Sequence, residues 1–158
     1  MTAKKANMCE ALGLLSGEYD MLSIDLRPPS RHGFGPYTCP PTLERVYVES
    51  NGLTLVDGIV DLWPMEDIAS IFGRDAAFFL KRRLFPFAGG APDILCMAED
   101  GSIVVMPYDR PEDWGEVIAS SLSDFLATLL GFVAKVEDPA EVTDLVGPYL
   151  VTGTVLEP

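Results

Sequence analysis

Two apolar runs, Ile94 to Ala98 and Ile103 to Met106, flank the tetrapeptide Glu99-Asp100-Gly101-Ser102, and this spacing constrains the fold more than any other feature of the chain. Asp-Gly supplies the positive φ that a tight turn needs if its twist is to match that of two paired strands. The runs therefore read as a β-hairpin. Downstream, Ser121 with Asp124 three residues on resembles a capping box, and Leu122, Phe125, Leu126, Leu129 and Val133 then recur at helical spacing. A helix from Leu122 to Phe132 is predicted to lay that apolar stripe across the hairpin. Hairpin and helix together point to an α+β domain.

The rest of the chain supplies weaker signals of the same kind. Met8, Ala11, Leu12 and Leu15 mark a short amphipathic helix from Asn7 to Leu15, ended by Ser16-Gly17. Arg27 to Tyr37 is dense in proline and glycine and reads as a long surface loop. After Pro40-Pro41, the positions Leu43, Val46, Tyr47 and Ser50 form one helical face that Asn51-Gly52 should terminate. Leu53 to Val56 and Gly58 to Leu62 alternate around Asp57-Gly58 as a second hairpin. Met65, Ile68, Ala69 and Phe72 give a short helix with an acidic first turn, closed by Gly73. The run Ala76 to Leu80 suits helix or strand, with helix preferred, and Phe87-Ala88-Gly89-Gly90 reads as a glycine-rich turn. A helix from Pro139 to Val146, capped by Asp138 and stopped by Gly147, should precede an edge strand at Tyr149 to Val155.

At 158 residues the chain is about one ordinary domain long, and one core spanning 1–158 is expected. No apolar run reaches the roughly 20 residues that span a bilayer, and Glu10, Glu18 and Asp20 interrupt any leader after Lys4 and Lys5. A cytoplasmic protein is the expectation. The three cysteines, Cys9, Cys39 and Cys96, have no metal-ligand spacing and read as free thiols, Cys96 as a small buried hydrophobe. With 24 acidic residues against 11 basic, the net charge of −13 repels phosphate backbones and anionic lipid, so direct binding to nucleic acid or membrane is not expected. Such a surface favours a basic protein partner.

Catalytic signatures are missing from the sequence. His32 is the sole imidazole and lies in the proline-rich loop, a poor scaffold for a nucleophile and its base. Neither a nucleophile elbow nor a zinc-protease, phosphate-loop or dinucleotide glycine motif occurs. The enzymatic alternative is a small carboxylate- or metal-dependent hydrolase using Asp57 with Asp61, or Glu99 with Asp100. A structural or assembly protein with an acidic solubilising surface is the other alternative. The segment 109–116 is more distinctive: Asp109, Glu112, Asp113 and Glu116 surround Trp114, which combines an acidic rim with a residue type enriched as an interface anchor. Asp109, Glu112, Asp113, Trp114 and Glu116, with Glu99, Asp100, Asp57 and Asp61, are the candidate partner-binding residues.

The order of these parts resembles the SUKH superfamily, shared by the yeast Smi/Knr cell-wall regulators and many bacterial immunity proteins. The resemblance rests on the helix before Asn51-Gly52, the short helix near Met65 to Phe72, Phe87-Ala88-Gly89-Gly90 with Asp93, the hairpin after it, and the helix from Ser121 to Leu129. It covers residues 41–131, leaving the 27–37 loop and the 138–158 tail as elaborations. It implies a single SUKH-like domain of the α+β class with a mainly antiparallel sheet flanked by helices, no cofactor and no catalytic residues. It further implies an immunity protein that binds and neutralises a cognate toxin, often a basic nuclease.

Overall fold

Seven strands run side by side in chain order among the described residues, which in this computed structural model are 2–71, 76–90, 93–106 and 115–152. They are β1 (Asp25–Leu26), β2 (Leu53–Leu55), β3 (Val60–Leu62), β4 (Leu84–Gly90), β5 (Asp93–Ala98), β6 (Ile103–Met106) and β7 (Glu116–Ala119), each antiparallel to the next. The predicted hairpin is the middle of this meander. Ile94 pairs with Met106 and Met97 with Ile103, and Gly101, at φ 89°, closes the turn by donating its N–H to the carbonyl of Ala98. The second hairpin also forms, with Leu53 opposite Leu62 and Leu55 opposite Val60.

The glycine pair departs from expectation, since residues 87–90 are the second half of β4 and not a turn. The register of β4 on β5 slips between Pro86 and Ala88, leaving Phe87 as a bulge. A bulge is where a strand tolerates a proline that cannot donate to the ladder. The glycines that follow are needed for close packing. A Cβ at Gly89 would lie 2.8 Å from the Trp63 ring, and one at Gly90 2.8 Å from Leu150. Successive strand residues face opposite sides, so Trp63 and Leu150 press on the two faces of the sheet here.

Helices cover both faces. They are α1 (Ala3–Leu12), α2 (Ser16–Met21), α3 (Pro41–Glu49), α4 (Met65–Ile71), α5 (Ala76–Lys81), α6 (Leu122–Lys135) and α7 (Pro139–Thr152). Four of them behave as their sequence signals predict, among them α4, which opens at Met65 with the acidic first turn Glu66-Asp67. Proline opens α3, residues 76–81 are helical, and Ser121 caps α6 by accepting the N–H of Asp124 at 3.1 Å. Two expectations fail. The first helix stops at Gly13, which takes the left-handed conformation, and Ser16-Gly17 begins α2 because Glu18 reaches back to the Leu15 N–H at 2.8 Å. The last helix does not stop at Gly147. It runs through Gly147 and Pro148 to Thr152, so residues 149–152 are helical and form no edge strand, while 153–155 lie outside the described residues. Val142, Val146, Tyr149 and Leu150 are all buried on one face of α7, and burial of that stripe offsets the roughly 3 kcal/mol a mid-helix proline costs. Gly73 also lies outside the described residues.

Burial is nearly complete along β4, β5 and β6. Asn51 ties the layers together: its side chain accepts the Met65 N–H at 2.8 Å, capping α4, and donates to Glu66 at 3.0 Å. Helix α3 itself ends one residue earlier, at Ser50. Cys9, Cys39 and Cys96 are buried free thiols, and no helix among the described residues is long and apolar enough to cross a membrane.

Buried thiols and phenols give the fold a defined response to alkali. Burial pushes the Cys39 thiol up to about 12, with Glu44 adding to the effect, and pushes Tyr149 up to about 12. It raises Cys96 and Tyr47 further, and the Tyr47 hydroxyl donates to the Trp63 carbonyl at 2.6 Å. Each folded value exceeds the unfolded one of 9.0 for thiol or 10.0 for phenol, so the unfolded chain releases these protons first. Their stabilisation is full below about pH 9 and is lost as pH rises towards the folded values. Melting temperature is therefore expected to hold from about pH 7 to 8.5 and to fall steadily from about pH 9 to 11. Tyr47→Phe should make the fall above about pH 10 shallower. A melting temperature flat through that range would contradict the assignment.

Candidate partner-binding surface

The meander has two ends, and they differ in charge. One is marked by the β2–β3 turn, Gly90, Asp93, Met106 and Glu116; the other by Leu84, Ala98, Ile103 and Ala119. With six residues in β5, the ends are about 17 Å apart. Asp57 lies exposed at the first end, in the β2–β3 turn. Glu99 and Asp100 lie at the second, in the β5–β6 turn, where Glu99 pairs with Arg83 at 3.1 Å. Asp100 accepts hydrogen bonds from the backbone and hydroxyl of Ser102 at 3.0 and 2.6 Å, which hold its carboxyl below the usual range.

Topology thus separates residues that the sequence grouped. Asp57 and Asp61 do not share a strand: Asp57 is in the turn, while Asp61 is in β3, half-buried and ion-paired to Arg27. Arg27 also donates to the Leu62 carbonyl at 2.7 Å, so this pair anchors the start of the 27–37 loop. Glu116 is exposed at the start of β7, opposite Val105. Asp109, Glu112, Asp113 and Trp114 lie outside the described residues. The sheet ends on Met106 before that segment and resumes at Glu116 after it, both at the Asp57 end.

Around Asp57 the fold gathers carboxylates that sequence reasoning missed. Asp20, from α2, and Asp25, from β1, join Asp57 in lining a concavity of about 180 Å³. Asp57 also borders an adjoining groove with Glu137, which follows the end of α6. Helix α6 has fourteen residues, about 21 Å of rise, enough to carry the chain from the Ala119 end of the sheet to the Asp57 end. Lys5 offsets part of the charge by pairing with Asp20 at 2.6 Å while lying over the Tyr19 ring. The Tyr19 hydroxyl feels the surplus: burial raises its pKa most, and Cys9, Asp25 and Asp20 raise it further.

The backbone here is strained. Ser23, Val56 and Asp57 have φ of 49°, 53° and 54°, and for a β-branched valine that region is a genuine outlier. Val56 is held there by its buried side chain and by its N–H, which donates to the Leu22 carbonyl at 2.6 Å. Strain of this kind persists where the surroundings over-determine it, and such places cluster at functional sites. Among the described residues, no group of three or more His, Cys, Asp or Glu side chains is placed to hold a metal ion. His32 is exposed in the loop, its ring against the carbonyl of Gly33 at 3.3 Å.

The sequence model of the SMI1/KNR4 family (SUKH-1) matches residues 34–128, more than half of the chain. The chain belongs to this family. No curated protein matches it. The matched stretch of this SUKH-1 protein holds α3, β2 to β7, α4, α5 and the first half of α6. Members are in general immunity-protein-like modules and not enzymes. Asp20 and Asp25 precede the match, Asp57 lies within it and Glu137 follows it.

Proposed function

We propose that this SUKH-1 protein is a non-enzymatic immunity-type binding protein that captures and neutralises a basic protein partner, a toxin of the nuclease kind, through the acidic surface centred on Asp57. The observation that carries this reading is the convergence of Asp20, Asp25, Asp57 and Glu137, from four separate elements, on one end of the sheet. A surface of one sign held on a rigid scaffold steers an oppositely charged partner and suppresses wrong ones. The acidic segment containing Asp109, Glu112, Asp113 and Trp114 belongs to the same proposal, because its ends are fixed at that end of the sheet. Glu99 and Asp100 do not, being at the other end, and Asp61 is committed to Arg27.

Binding kinetics against the purified product of the adjacent reading frame test this. Neutralising Asp20, Asp25, Asp57 and Glu137 together, to Asn or Gln, is expected to slow association about tenfold or more at low salt, with a smaller change in dissociation. The wild-type rate should fall between about 50 and 300 mM salt as screening grows. Trp114→Ala should instead act on dissociation, weakening binding about thirtyfold, or about 2 kcal/mol. Unchanged association in the four-site variant would place the binding face elsewhere, and failure of wild type to bind any basic partner would remove the reading.

A further inference from the structure

Asn51 is followed by Gly52, the neighbour that most favours deamidation, because glycine has no side chain to hinder its amide nitrogen from closing on the asparagine carboxamide. The chain holds two side-chain amides, Asn7 and Asn51, and no glutamine. Asn7 is followed by Met8, whose side chain impedes the same closure. The fold builds around Asn51. The residue is 8% exposed, its Oδ1 accepts the Met65 N–H at 2.8 Å, and its Nδ2 donates to Glu66 at 3.0 Å.

Both groups that deamidation must bring together are therefore committed elsewhere in the folded chain. The reaction needs the Gly52 nitrogen, stripped of its proton, to reach Cγ of Asn51. That N–H is donated to the Ser50 carbonyl at 2.9 Å, and the Gly52 carbonyl accepts the Ser50 hydroxyl. The Asn51 N–H is held as well, donating to the Pro28 carbonyl at 3.3 Å. Gly52 also lies too close to the Leu62 carbonyl and to Trp63 for even a Cβ to fit, so the peptide has little room to turn.

We propose that Asn51 is a self-modification site held off by the fold: it deamidates when the contacts between residues 50–52 and α4 open, and the product cannot rebuild them. In the open chain the Gly52 nitrogen bonds to Asn51 Cγ, the Cγ–Nδ2 bond breaks, and ammonia leaves with the proton that the Gly52 nitrogen gave up. Water then opens the cyclic imide at either carbonyl, leaving aspartate or isoaspartate. One water is consumed, one ammonia is released, and nothing is oxidised or reduced. Aspartate keeps an acceptor for the Met65 N–H but sets an oxygen of like charge against Glu66 in place of a donor. Glu66 depends on that donor: the Asn51 hydrogen bond is the chief cause that holds its carboxyl below the usual range, with its own backbone, His32 and Arg27 adding to the effect. Isoaspartate routes the main chain through Cβ and so lengthens a segment that is fixed on both sides. A transient opening thereby becomes a permanent change, with or without a binding partner.

The test compares the full chain folded and in urea above its unfolding midpoint, both at mildly alkaline pH, with peptide mass spectrometry locating any replacement of NH2 by OH. Mass is the specific readout, since Asp57-Gly58 and Asp100-Gly101 isomerise through the same imide without changing mass. The gain is expected in the peptide holding residues 51 and 52, about tenfold or more faster in urea than in the folded chain, because reaction follows the open population. It is not expected at Asn7. Equal rates in the two states, or a faster gain at Asn7, would overturn the proposal. Asn51→Asp reproduces the aspartate product and should lower the melting temperature by about 2–6 °C. Adding Glu66→Gln, which restores a donor opposite the new carboxylate, should recover most of that loss, or recover folding if Asn51→Asp alone does not fold. A single variant as stable as wild type, or a double variant no better than the single, would also overturn it.

Discussion

Gly52→Ala is expected to destabilise the protein by about 3–5 kcal/mol, the sum of overpacking and a left-handed backbone that alanine resists. Gly52 sits at φ 80°, and an added Cβ would lie 2.2 Å from the Leu62 carbonyl oxygen, 2.8 Å from Arg27 Nη1 and 2.9 Å from the Trp63 carbonyl carbon. Two of these atoms are backbone, and neither can retreat. Leu62 is paired with Leu53 on one side and Ala88 on the other, and the Trp63 N–H donates to the Phe87 carbonyl at 2.9 Å. Arg27 is fixed by its bonds to Leu62 and Asp61. Gly58→Ala supplies the control. Its φ is 90° but no atom lies within 4 Å of the added Cβ, so it should show backbone strain alone, about 1–2 kcal/mol. Urea unfolding of both variants separates the contributions. A loss below about 1 kcal/mol for Gly52→Ala would mean that the β3–α4 connection moves freely, against the packing described.

Phe125→Ala should cost about 3–5 kcal/mol, a large share of the 5–15 kcal/mol that stabilises a typical domain. The ring is fully buried and stacks on Tyr149, with centroids 6.2 Å apart and planes at 23°. Tyr149 is also packed on Phe132 and donates its hydroxyl hydrogen to the Ile118 carbonyl at 2.9 Å. Removing the Phe125 ring leaves a cavity beneath α7, at the residue next to the helix-interior Pro148. The effect should be local as well as global. Amide exchange in α7 is expected to accelerate more than in β5 or β6, because α7 depends on this face to hold a helix that its own sequence interrupts. Phe125→Leu, which keeps most of the volume, should cost about 1 kcal/mol. A Phe125→Ala variant within about 1 kcal/mol of wild type would show that α6 does not carry the core.

The features legible in the sequence were those whose causes are local. Asp100-Gly101 and Asp57-Gly58 determine their hairpins because the turn conformation belongs to those residues themselves. Pro41 and Ser121 start their helices because a cap acts within one turn. The order of these signals also carried the SUKH likeness, which the family match over 34–128 bears out. Where local signals competed with packing, packing decided. Gly89-Gly90 has the composition of a turn, but the approach of Trp63 and Leu150 from opposite faces makes it a strand. Gly147-Pro148 has the composition of a stop, yet buried Val142, Val146, Tyr149 and Leu150 draw the helix through it. The acidic surface is the clearest case of all. Asp57 was marked from its turn, but Asp20, Asp25 and Glu137 stand far from it in sequence, and no spacing links them. They meet only because β1 pairs with β2 beside the Asp57 turn and α6 is long enough to reach it. The same meander holds Glu99 and Asp100 a strand length away. Charge and turn chemistry are properties of residues and can be read in order along a chain; which charges share a surface depends on strand direction and helix length, and only the assembled sheet decides it.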